Sequence, residues 1–128
     1  MYVMRVNEVH ASVGTLFTPL YYPTVTMCRS GVPIIYGIDS IHGATFVKGA
    51  ALFPQALNLA ATFNPTLAYN AGKITAKDTR AGGMNWIFAP VLGLGLQPLW
   101  ARFPETFGED MFLAATMGSN IIKGVFVY

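Results

Sequence analysis

Charge is scarce in this chain, and neither sign is concentrated anywhere. Only 11% of the 128 residues are charged, eight basic against six acidic for a formal net charge of +2. With no run of like charge there is no stripe to displace counterions from a polyanion, so nucleic acid is excluded as an expected partner. Cysteine is as rare: Cys28 stands alone, which rules out an intrachain disulfide or a multi-cysteine metal site and leaves the redox compartment open. Its bland reading, a buried or idle thiol, is preferred to a reactive one. His10 and His42 lack ligand spacing to each other or to a carboxylate cluster, so no metal is expected. An N-glycosylation acceptor is missing too, because Asn64-Pro65-Thr66 has proline at its centre.

No uncharged stretch reads as a membrane span. Ala81 to Ala101 approaches the ~20 residues required, but Gly82, Gly83, Asn85, Pro90, Gly93, Gly95, Gln97 and Pro98 interrupt it, which suits a buried strand and loop. His10 to Cys28 is also uncharged. It holds Pro19 and Pro23 and lacks a compact apolar centre or a small-residue cleavage site, so it is not read as a signal peptide. What the chain has in abundance is apolar side chains, 53% of the total, which argues against disorder. The length allows one modest domain, or about half of a closed eight-stranded β/α barrel of ~250 residues. A piece separated from its packing partners would have this composition.

Val32 to Ile38 is a continuous apolar run holding Pro33 and stopped by Asp39, the pattern of a parallel strand covered on both faces. A loop with Gly43, Gly49 and Pro54 follows. Asn64 then offers an N-cap and Pro65 a first helical residue, predicting a helix to about Ala81. Leu67, Ala71 and Ile74 mark its expected apolar side, and Lys73, Lys77 and Arg80 a solvated face near the negative end of the helix dipole. Gly82-Gly83 should end it in left-handed conformation. Trp86 to Leu92 reads as a second strand leading into a Gly-rich loop, with Trp86 in the core. Asp110 can cap a last helix in which Leu113, Met117 and Ile121 recur every four residues before Gly124 ends it. Strand, helix, strand, helix with long crossovers predicts parallel strands, two β/α units of a larger sheet. Residues 1–29 stay unassigned.

In parallel α/β architectures, chemistry gathers at the carboxyl ends of strands. Asp39 and Arg102 both lie just beyond apolar runs. A carboxylate accepts two hydroxyl protons and a guanidinium donates a planar fork, so together they can grip a polyol. On composition alone a structural Asp–Arg ion pair is an equal alternative. Gly93-Leu-Gly95 is not a dinucleotide loop, because Pro98 falls where the third glycine belongs.

Gly37-Ile-Asp-Ser-Ile-His-Gly43 and Trp100-Ala-Arg-Phe-Pro-Glu-Thr-Phe-Gly-Glu-Asp110, with Leu52-Phe-Pro-Gln55, Leu59-Ala-Ala-Thr-Phe-Asn64, Ala76-Lys-Asp-Thr-Arg80 and Phe88-Ala-Pro-Val91 between them, resemble the recurrent signatures of family 3 glycoside hydrolases, the β-glucosidases and exo-glucanases. The resemblance runs from about Ser30 to Gly124. It implies that residues 30–128 are part of an N-terminal (β/α)8 TIM-type barrel, two to three β/α units of parallel sheet. It further implies a retaining β-glucosidase in which Asp39 and Arg102 bind hydroxyls of the terminal glucosyl unit. His42 is read as loop support before any catalytic role, and Glu105 and Glu109 as support for the last helix and the loop before it. Trp100 is a possible sugar platform. Gly93, Gln97, Leu99, Phe103-Pro104 and Met111 depart from the common pattern.

The same resemblance sets the nucleophile on a later barrel strand, the acid/base on a second domain, and a Lys-His pair in the sugar pocket. None is found here, so no catalytic residue is assigned in this chain, and the chain alone is expected to be inactive. Expected partners are a β-glucoside or short β-glucan and the remainder of the barrel with its second domain. No cofactor is implied, and family members suggest a secreted, periplasmic or lysosome-like location. A non-catalytic carbohydrate-binding or interaction module is the alternative.

Overall fold

The computed structural model describes residues 35–127. Residues 1–29, with His10 and Cys28, and the start of the predicted first strand lie outside the described residues. Strand β1 (Gly37–Ile38) is followed by a short helix α1 (Ala56–Ala60), a long helix α2 (Pro65–Ala81) and strand β2 (Trp86–Ile87). A 3₁₀ turn (Phe103–Glu105) and helix α3 (Met111–Val125) complete the order. The strands are parallel, Gly37 opposite Trp86 and Ile38 opposite Ile87, as the long crossover requires. Both are far shorter than the apolar runs that suggested them.

The sequence signals at the helix ends act as chemistry predicts. Asn64 is the extended N-cap of α2, its side chain accepting from the amides of Thr66 and Leu67, with Pro65 in the first turn. At the other end Gly83 takes φ +83°, its amide reaching the Arg80 carbonyl while Met84 N–H reaches that of Thr79, the paired closure of a Schellman motif. Asp110 caps α3 by accepting from Leu113 N–H. The short helix α1, built after Pro54 where only a loop was expected, carries no side-chain cap.

The buried face of α2 agrees with expectation at Ala71 and differs at Leu67 and Ile74. Leu67 and Ile74 are exposed, and the covered face is Ala68, Ala71, Gly72, Thr75, Ala76 and Thr79. The reason lies in how closely α3 approaches. A β-carbon at Gly124 would fall 2.1 Å from the Tyr69 carbonyl oxygen, and one at Gly72 would fall 2.3 Å from that of Ile121. Backbone-to-backbone contact selects small residues, as an apolar stripe of large ones would hold the axes apart. Gly124 is therefore a packing residue inside α3, which continues to Val125, and not its terminator.

The core forms two clusters. Ala56, Ala60 and Ala68 meet Phe107, Ala114, Met117 and Ile121 between the helices. Ile38, Ala44, Val47 and Met84 form the second beneath the strand end. Ile35, Tyr36, Trp86 and Phe88 are exposed, so Trp86 is not the core residue expected. It stacks edge-on against Phe88 at 4.6 Å between ring centroids. Among the described residues nothing covers that side of the sheet, where a strand buried on both faces was expected.

Candidate functional site

The loop that follows β1 is fixed residue by residue. Ile38 is buried and Asp39, next along the chain, turns outward with its side chain 58% exposed. Ser40 then adopts a left-handed φ of 40°, a conformation that costs a non-glycine residue about 1–3 kcal/mol and persists only where its surroundings over-determine it. Its hydroxyl is buried and 3.0 Å from the hydroxyl of Thr79, itself buried on α2. His42 ties the loop a second time, Nδ1 standing 3.0 Å from the Phe53 carbonyl while Phe53 N–H donates to the His42 carbonyl. Gly43, at φ +107°, runs so close to the Ala51 carbonyl that a β-carbon would sit 2.2 Å from it. Asp78 of α2 holds the far end by accepting from Ala51 N–H.

A second loop delivers Arg102. It comes immediately before the 3₁₀ turn, whose last residue, Glu105, accepts from Arg102 Nε at 2.6 Å. The turn is plugged into the core by Thr106 and Phe107, both buried. The Thr106 hydroxyl donates to the Phe103 carbonyl and accepts from Gly108 N–H, and Gly95 N–H donates to the Gly108 carbonyl. Trp100, on the same turn, lies over Gly93, where a β-carbon would come within 3.2 Å of the indole. That contact gives a local reason for glycine at position 93, one of the departures noted in the sequence. Glu105 thus supports the loop before α3, by holding Arg102, and not the start of α3, which Asp110 caps; Glu109 is exposed.

The two loops face each other across an open cleft of about 360 Å³ lined by Asp39, Ser40, Ile41, His42, Thr45, Phe46, Arg102 and Glu105. That volume falls within the range of small-molecule sites. Arg102 Nη2 stands 4.0 Å from Asp39 Oδ1, beyond hydrogen-bond reach. Engagement of Nε by Glu105 restrains the guanidinium, whose Nη2 faces Asp39. Asp39 and Arg102, about half exposed, form a weak ion pair in water. They present one acceptor and one forked donor to whatever enters between them.

Sequence reasoning singled out Asp39, Arg102, His42 and Glu105, and the fold brings all four to this cleft. It missed Ser40, Thr79 and Asp78 as the groups that hold the first loop, and Thr45 and Phe46 as lining. The available signal was the spacing of Thr75 and Thr79 among the small residues of α2, which puts hydroxyls on the covered face. Among the described residues no cluster of His, Cys, Asp and Glu could hold a metal ion, and no helix is long and apolar enough to cross a membrane.

The model of the glycosyl hydrolase family 3 N-terminal domain matches residues 17–126. A lysosomal beta glucosidase of Dictyostelium discoideum is 56% identical over 93 residues, covering 73% of this chain and 11% of the relative. The periplasmic beta-glucosidase of Salmonella typhimurium is 31% identical over 101 residues, covering 79% of this chain and 12% of that protein. The chain therefore spans about an eighth of the length of these curated relatives. Among solved structures, a β-glucosidase involved in saponin metabolism from intestinal bacteria superposes with a TM-score of 0.76 at 40% identity, covering 80% of this chain and 14% of that one.

Proposed function

Given that the chain belongs to glycosyl hydrolase family 3 by its N-terminal domain, we propose that it supplies the glucose-binding side of a retaining β-glucosidase. The observation that carries this reading is the meeting of Asp39 and Arg102, from separate loops, on one cleft of sugar size. Asp39 accepts the protons of neighbouring hydroxyls on a terminal β-glucosyl unit. Arg102, held at Nε by Glu105, donates its terminal N–H groups to vicinal oxygens. His42 keeps the first loop in place through Phe53. At the level of the fold the same proposal reads β1–α2–β2–α3 as successive units of a (β/α)8 barrel.

Neither binding residue attacks the anomeric carbon. Retention needs a nucleophile and an acid/base ~5–5.5 Å apart. Here the Glu105 carboxylate is taken by Arg102 at 2.6 Å, and Asp39 faces the same guanidinium. We assign the reacting pair to other parts of the hydrolase, on later strands and a second domain, so residues 1–128 alone are inactive. The chain's contribution is to bind the sugar more tightly as its ring distorts toward the oxocarbenium-like transition state, where hydrogen bonds to the hydroxyls strengthen.

The lack of a second carboxylate free of Arg102 among the described cleft residues also favours a narrower reading, a sugar-binding module without hydrolysis. Kinetics separate the two. In the intact protein, Asp39→Ala removes two charge-assisted hydrogen bonds of ~1.5–3 kcal/mol each, so kcat/KM for a nitrophenyl β-glucoside should fall ~10²- to 10⁴-fold. Unchanged kinetics remove Asp39 from the site. Glucose binding with no turnover of any β-glycoside would leave the module reading standing. Purified residues 1–128 should hydrolyse nothing, and turnover abolished by Asp39→Asn would overturn the assignment of the reacting pair.

A further inference from the structure

Asp39 has no buried anchor of its own. Its carboxylate is exposed and its nearest charged neighbour is 4.0 Å away, so the direction of its side chain is set by the backbone on either side. Behind it, Ile38 is locked by the sheet, its carbonyl accepting from Phe88 N–H. Ahead of it, Ser40 takes the left-handed φ of 40°, which turns the chain out of the strand direction at the point where Asp39 must face the cleft. Ser40 lines that cleft and also a small, partly open pocket between sheet and helices. The one side-chain hydrogen bond that holds it joins its hydroxyl to Thr79 at 3.0 Å, both groups buried.

We infer that Ser40 and Thr79 are positioning residues for Asp39: their buried hydroxyl pair holds the left-handed turn that aims the carboxylate at the sugar, and so couples the binding loop to helix α2. This rests on the reading of Asp39 as a sugar ligand. The His42–Phe53 and Asp78–Ala51 bonds and the backbone bridge of Ile41 with Gly43 fix the loop further along, and at Ser40 itself the side-chain bond is the one to Thr79. A serine in left-handed conformation with its hydroxyl unmet would relax toward the ordinary regions of backbone space, carrying Asp39 with it.

The test measures the affinity of the intact protein for D-glucose by calorimetric titration, with melting temperature alongside. Thr79→Val, which keeps the shape and deletes the hydroxyl, should weaken glucose binding about tenfold, a magnitude within the range of coupled neighbours, while Thr79→Ser should restore it. Ser40→Ala should weaken binding comparably, and the Ser40→Ala/Thr79→Val double variant no more than either single one. Because the pair acts through Asp39, Thr79→Val should have no further effect on an Asp39→Ala background. If Asp39→Ala weakens binding but Thr79→Val binds as well as the parent, the positioning role is wrong while the site stands. An equal loss from Thr79→Val with and without Asp39 makes the bond merely structural and also overturns the inference. Glucose affinity unchanged by Asp39→Ala sinks the site reading itself, and the inference with it.

Discussion

Replacing Arg102 by lysine keeps the charge and removes the fork, so it tests whether this arginine works as a shape or as a point charge. In the structure one guanidinium does two jobs. Nε is held by Glu105 at 2.6 Å while Nη2 points toward Asp39 from 4.0 Å. Lysine has a single nitrogen on a mobile stem, which can satisfy Glu105 or reach into the cleft but cannot present a fixed edge to two oxygens while anchored. The variant should therefore lose at least one charge-assisted hydrogen bond to the sugar, ~1.5–3 kcal/mol, equivalent to about 10- to 150-fold in kcat/KM. Stability should barely change. Arg102 is half exposed and Glu105 about a quarter exposed, so after solvent screening their pairing contributes less than about 1 kcal/mol. The assay is kcat/KM for a nitrophenyl β-glucoside on the intact protein, with thermal melting and Arg102→Ala as the deeper control. A lysine variant with parental kcat/KM beside a crippled alanine variant would mean that charge alone suffices, and the forked grip would have to be abandoned.

Gly124→Ala should destabilise the fold by about 1–2 kcal/mol, since a β-carbon 2.1 Å from the Tyr69 carbonyl meets backbone that cannot swing aside and forces α2 and α3 apart at the upper end of the usual overpacking cost, about 2–3 kcal/mol, offset in part by the ~1 kcal/mol better helix propensity of alanine. A melting temperature at or above the parent's would show that the helices do not touch at that point. Asp110→Ala should cost α3 about 1 kcal/mol by freeing Leu113 N–H, with Asp110→Asn close to neutral; chemical denaturation reads both, and a stable alanine variant would deny the cap its role.

The elements legible in the sequence were those marked by local chemistry. Asn64-Pro65, Gly82-Gly83 and Asp110 fixed the helix ends, because capping is decided within a few residues of the chain. The parallel pairing followed from the length of the crossover. What periodicity could not show was the buried face of α2. Leu67 and Ile74 look like an apolar stripe, yet alanine, glycine and threonine make the contact, since the closeness of α3 rewards small volume over hydrophobicity. The 3₁₀ turn at Phe103–Glu105 gives no periodic signal at all. In the cleft, Asp39 and Arg102 stood out because charged residues are few in this chain and these two follow apolar runs, but it was the resemblance of their motifs to family 3 that raised them above a structural ion pair. The bond between Ser40 and Thr79 joins positions far apart in sequence through ordinary hydroxyls, and only the fold brings them together.

The chain contains two tryptophans, and their settings differ in a way an optical experiment can use. Trp86 is 54% exposed beside Phe88 on the uncovered side of the sheet, whereas Trp100, less exposed at 38%, shares a turn with Arg102 and lies over Gly93. An indole in water emits at longer wavelength than one packed against protein. The emission of Trp86 is thus a built-in gauge of anything that comes to lie on the sheet, readable in a Trp100→Phe variant without attaching a dye. The converse variant, Trp86→Phe, leaves a single reporter on the arginine turn, so assembly and ligand entry can be timed separately in the same molecule.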